Sequence, residues 1–176
     1  MDYPYAEGRG VLERFGTTPA ARAALVRQQG AFEALWPSLQ SRWEEPLREG
    51  AWCPAQVTEH VLKASARFSK ALYLLRRDEP LPEVPRVPGA FVDGRAQAPT
   101  SVIPGPPQPL AALAPQWQEV HARLFAEVDA TREWHGRTLF HAFFGELDAL
   151  GWLQVAAFHL RHHRKQLERF AAANAD

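Results

Sequence analysis

The chain has 176 residues, 46% of them apolar, and its 20 Lys plus Arg are balanced by 20 Asp plus Glu. That length suits one domain, residues 1–176, around one real core, and a net charge of zero lacks the basic excess that nucleic acid or an anionic membrane would select. A lone cysteine, Cys53, rules out an intramolecular disulfide and a Cys-rich zinc module, and the lack of a signal-like segment or a ~20-residue apolar run predicts a cytoplasmic protein.

The first helix is expected to start at Thr18 as N-cap, with Pro19 at its first position, where a missing N–H costs nothing. Leu25, Phe32, Leu35, Leu39 and Trp43 follow at the three-and-four spacing of an amphipathic helix. Pro37 should kink it, and Pro46 and Gly50 close it. A second helix runs from Cys53-Pro54 to about Arg77 and places Val57, His60, Ala64, Phe68 and Ala71 on one face. Residues 78–109 then carry nine prolines with Gly89, Gly94 and Gly105 between them, which makes an extended connection, partly polyproline II.

The third helix spans about Leu110 to Thr131, with Leu113, Trp117, Val120, Leu124 and Val128 inward. Residues Trp134 to Leu147, with His135, Gly136 and Gly145, read as a loop or a turn of helix. Asp148 caps the fourth helix, which continues to about Ala173. With no internal repeat and no alternating strand pattern, the fold class is all-α, a four-helix bundle.

Seven histidines are the chemically loaded residues. His159 and His163 stand about 40° apart on one helix face and roughly 6 Å along the axis, so both imidazoles can converge on one ion about 2.0–2.1 Å away. Trp152, Ala156, Gln166 and Phe170 share that face, which makes the pair core-facing. A helical H-x-x-x-H alone is a weak signal. His60, on the buried face of the second helix, strengthens it, because Ala64 and Ala156 leave room for imidazoles and an ion.

In an up-down-up-down bundle the second and fourth helices are parallel, and His60 misses the pair by about 7–13 Å in level. Antiparallel, it sits roughly 25 Å above the base of the helix and matches His163 within a few Å. The reading is therefore up-down-down-up, with residues 78–109 as a crossover between helices two and three, long enough at about 3 Å per residue. His121 reads as a satisfied core histidine with a lesser claim to fourth-ligand duty, His141 as structural and His162 as a rim residue. Cys53 lies about 10 Å along the axis from His60, too far for ligation. Gln166 is placed to orient His163 or a metal-bound water.

Three stretches, Trp52-Cys-Pro-Ala-Gln-Val-Thr-Glu-His60, Leu139-Phe-His141-Ala-Phe-Phe-Gly145 and His159-Leu-Arg-His162-His163-Arg-Lys-Gln166, resemble the DinB-like superfamily over about Pro19 to Phe170. The resemblance implies a four-helix bundle with a crossover between helices two and three, and metal ligands at His60, His159 and His163. Here Ala142 and Asp148 replace a proline and a threonine of the common pattern, and the Pro-rich insertion is long.

Relatives of this kind include transferases and isomerases that use low-molecular-weight thiols such as bacillithiol, mycothiol or glutathione. The resemblance therefore implies a thiol-dependent S-transferase or related detoxification and stress enzyme, holding zinc or nickel and a small-molecule substrate or thiol. Arg67, Arg164 and Lys165 are candidates for the thiol's carboxylates. Metal-assisted hydrolysis and a non-catalytic metal-binding bundle are the rival readings, and aromatics such as Trp134, if exposed, favour a homodimer.

Overall fold

Residues 5–92 and 94–173 are described by the structure, a computed structural model, with the backbone alone for residues 5–8. Residues 1–4, part of the segment read as lacking a signal, lie outside the described residues. Among the described residues are six α-helices: α1 (Tyr5–Glu13), α2 (Thr18–Glu33), a single turn α3 (Trp36–Leu39), α4 (Pro54–Leu75), α5 (Leu110–Ala130) and α6 (Ala149–Ala172). Four of them, α2, α4, α5 and α6, are long and form the bundle.

Side-chain contacts fix their directions. Along α4, His60 meets His163 whereas Phe68 meets Trp152, so α4 and α6 are antiparallel. Ser65 and then Arg76 of α4 reach His121 and then Glu127 of α5, so these two are parallel. Gln154 bonds Gly16 just before α2 and Arg164 bonds Gln28 within it, which makes α2 parallel to α6. The order is thus up-down-down-up, as the histidine levels demanded, and the crossover carries the chain back along the bundle.

Local chemistry explains the helix starts. Pro54 opens α4, and the Cys53 N–H donates to Gln56 Oε1 at 3.3 Å. At α6, the Gly151 N–H donates to Asp148 Oδ1 at 2.9 Å, as an N-cap aspartate should arrange.

Three expectations need correction. The first helix does not run through to Trp43: α2 ends at Glu33, and Pro37, which has no N–H to continue the ladder, sits at the start of α3 instead of inside a kinked helix. The N-cap is Thr17, not Thr18. In the segment before α6, residues 134–138 are irregular, as a loop should be, but the rest is an antiparallel hairpin, β3 (Leu139–His141) with β4 (Gly145–Leu147). Gly145, at φ 72°, takes the left-handed position that closes its three-residue turn.

The crossover holds a smaller hairpin, β1 (Phe91–Val92) with β2 (Arg95–Ala96), and a 3-10 turn at Thr100–Val102. Gly89 donates its N–H to the Ala142 carbonyl at 2.8 Å, and a Cβ there would overlap the Phe143 ring. Crossover and hairpin therefore clasp one another beside α6. The helix α1, which the pattern did not reveal, packs on α6 and buries Leu12.

The core centres on Trp117, fully buried, stacked on Phe32 at 4.7 Å and meeting Trp36 edge-on at 5.5 Å. Its indole N–H donates to Glu33 Oε1 at 2.8 Å, so the ring is buried without stranding a donor. No described helix is long and apolar enough to cross a membrane.

Candidate metal centre

His60 lies in the second turn of α4, and His159 and His163 lie one turn apart on the facing side of α6. The antiparallel pairing brings all three to one level, where one ring nitrogen of each stands within 4.8 Å of the others. His60 Nε2 and His159 Nε2 are 3.1 Å apart. Two nitrogens bound tetrahedrally to one ion at 2.0–2.1 Å would lie about 3.3–3.4 Å apart. The spacing is that of neighbouring ligands.

Hydrogen bonds at the far side of two of the rings assign their tautomers. His60 donates its Nδ1–H to the Val102 carbonyl at 2.9 Å, and His163 donates its Nδ1–H to Gln166 Oε1 at 2.8 Å. Both therefore present a bare Nε2 lone pair to the cluster. His159 has a single N–H to offer them, and its buried Nδ1 has no hydrogen-bond partner. Converging lone pairs with too few protons form a poor arrangement by themselves and a good one around a cation, so the residues fit a divalent metal.

His60 and His163 are only 5% and 7% exposed. Burial is the main cause that lowers the pKa of all three histidines, reinforced at His159 and His163 by the neighbouring imidazoles, and these two fall well below the ordinary imidazole value. The donors thus stay neutral, the form that binds metal, into acidic solution. Trp52 tilts over His60 with centroids 4.8 Å apart, and Phe68 meets His159 edge-on at 5.5 Å, so the walls are apolar.

The remaining candidates separate clearly. His121, 1% exposed, shares one nitrogen with the Trp117 carbonyl at 2.9 Å and the other with Ser65 Oγ at 3.3 Å. With both nitrogens engaged it is a core histidine and no fourth ligand. His141 Nδ1 accepts the Phe143 N–H at 3.1 Å and so braces the β3–β4 turn; burial, then the charge of Arg67, pushes its pKa down to about 4. His162 is exposed at the rim. Gln166 does orient His163, and its amide also donates to His162 Nε2 at 3.2 Å. Arg164 is taken by Gln28 and Glu168, Arg67 is exposed, and Cys53 is buried at the start of α4. Trp134 is only partly exposed and packs on the core.

Two features escaped the sequence reading. Val102 supplies a backbone carbonyl, which has no residue-type signature, and the 3-10 turn that presents it lies in a stretch with no periodicity. Trp52 precedes α4 by two residues, outside the helical pattern that picked out His60.

The family model of the DinB superfamily matches residues 13–167. The chain belongs to the DinB superfamily. Among solved structures it is similar to TT2238, described as a four-helix bundle protein, with 30% identity and a TM-score of 0.67, over 87% of this chain and 99% of that one. No curated protein matches the chain. The α1 helix lies almost wholly outside the family match.

Proposed function

We propose that this DinB-superfamily chain binds a divalent metal, zinc or nickel, through His60, His159 and His163, and uses it in thiol-dependent S-transfer to small electrophiles. The observation that supports this reading is the donor set: three neutral imidazoles, with no carboxylate in the cluster among the described residues. Such a set leaves the ion's charge uncompensated and a coordination position open, and an ion so held lowers the pKa of a bound thiol. The chain's own residues do the rest. Val102 and Gln166 hold two rings in the ligating tautomer, and Trp52 and Phe68 keep the surroundings apolar, which favours a neutralising anionic partner over water.

Among the described residues, no carboxylate joins the histidine cluster to serve as the general base of metal-assisted hydrolysis. Glu59, the buried carboxylate next to His60, is committed to Lys63 at 2.8 Å and to the Gly105 N–H at 3.1 Å. The test is a panel of low-molecular-weight thiols with a chromogenic electrophile, run on metal-loaded protein. Turnover with one thiol, lost in His159→Ala, is the expected result. Silence with every thiol would leave a non-catalytic metal-binding bundle.

A further inference from the structure

A second feature of α6 is not used by the three-histidine centre. Phe158, Arg161, His162, Lys165, Gln166 and Arg169 line a cavity of about 150 Å³ on the helix surface. Arg161, Lys165 and Arg169 recur every four residues, so they form one stripe about 12 Å long. None of the three has an ion-pair partner among the described residues. Glu168, adjacent in sequence to Arg169, is used by Arg164, and Glu45, which lines a neighbouring cavity with Arg169, is used by Arg42.

The helix dipole accounts for a cation in the last turn, which covers Arg169 but not Arg161 or Lys165. Those two are also half-buried. His162 adds a donor: its Nε2 accepts from Gln166, so the proton is on Nδ1. Three cations and a ring N–H around one small concavity are the complement of a compact anion. A chain of zero net charge with a cavity this small does not suit a nucleic-acid backbone.

The cavity also touches the centre. His162 and His163 rings are 4.9 Å apart, and Gln166 lines the cavity while holding His163 Nδ1. We infer that this groove is an anion subsite for the carboxylates of a small dicarboxylate molecule whose other end reaches the histidine centre. The assignment rests on the proposed thiol chemistry for the identity of that other end, but the groove's affinity for carboxylates does not need the metal.

The experiment uses the full chain with three probes: S-methylglutathione, which carries two carboxylates and no free thiol, succinate, and inorganic phosphate. Binding is followed by calorimetry and by amide shifts along α6. Saturable shifts at Arg161, Lys165 and Arg169 with both carboxylate probes are expected. The triple variant R161Q/K165Q/R169Q should weaken binding at least about tenfold with metal content unchanged, and Arg169→Gln alone, at an exposed position, should move it the same way. His60→Ala, which removes a proposed metal ligand and no groove residue, should still bind S-methylglutathione. That arm separates failure of the metal reading from failure of the subsite. Binding that ignores the triple substitution, no saturable shift with either carboxylate, or binding of phosphate alone would each overturn the assignment.

Discussion

His121 and His163 are both buried imidazoles on long helices of one bundle, yet they sit in opposite kinds of surroundings. On the α4–α5 side, His121 has a backbone carbonyl on one nitrogen and a serine hydroxyl on the other, with the Trp117 ring tilted against it at 4.2 Å. On the α4–α6 side, His60 and His163 each spend one nitrogen on an oxygen acceptor and turn the other toward a third imidazole. Burial alone does not distinguish a structural histidine from a ligand. What distinguishes them is whether the second nitrogen meets a hydroxyl or faces other imidazoles.

The sharpest way to break this contrast is to damage one side and watch the other. Trp117→Ala should cost about 3–5 kcal/mol of stability in urea titration, by loss of buried ring and the cavity left behind. Metal stoichiometry should survive it wherever the variant remains folded, because Trp117 serves the α2–α5 side. Gln166→Ala should do the reverse. Removing the group that fixes the His163 tautomer should weaken metal affinity about ten- to hundredfold while shifting the urea midpoint little.

Gly89→Ala probes the clasp between crossover and β3–β4 hairpin. A methyl group pressed against Phe143 should destabilise the chain by about 1–3 kcal/mol, read by equilibrium unfolding. If Val102 depends on that clasp for its place, metal affinity should fall as well.

Smallest is the pH effect, and its sign follows from the lowered imidazole values. His121 and His141 have folded pKa values below the unfolded 6.5, His141 at about 4. Below pH 6.5 the unfolded chain binds more protons than the folded one, so their contribution is full above 6.5 and is lost as pH falls toward 4. Metal-free protein should therefore lose stability progressively across that window, measured by urea midpoint against pH. A midpoint that rises on acidification would contradict the assigned burial.

The same contrast shows what the amino-acid pattern could and could not disclose. His60, His159 and His163 were legible because helical periodicity converts residue number into face and level, and the level argument even demanded the crossover and the up-down-down-up order. The satisfied state of His121 followed from its place among Trp117 and Leu124. Val102 was invisible, since a carbonyl is common to every residue and its position depends on how a Pro-rich stretch folds back. The β3–β4 hairpin was missed because three-residue strands are too short to display alternation, and α1 because it shows no comparable apolar stripe. The break at Glu33 was misplaced since Pro37 is compatible with either a kink or a fresh start.

Three imidazoles sharing one ion are tested most directly by metal content. Elemental analysis of the purified, metal-reconstituted chain should find about one divalent transition metal per molecule, and His60→Ala should drop that to near background while His121→Ala leaves it intact wherever that variant folds. Unchanged stoichiometry in His60→Ala would contradict the three-histidine centre.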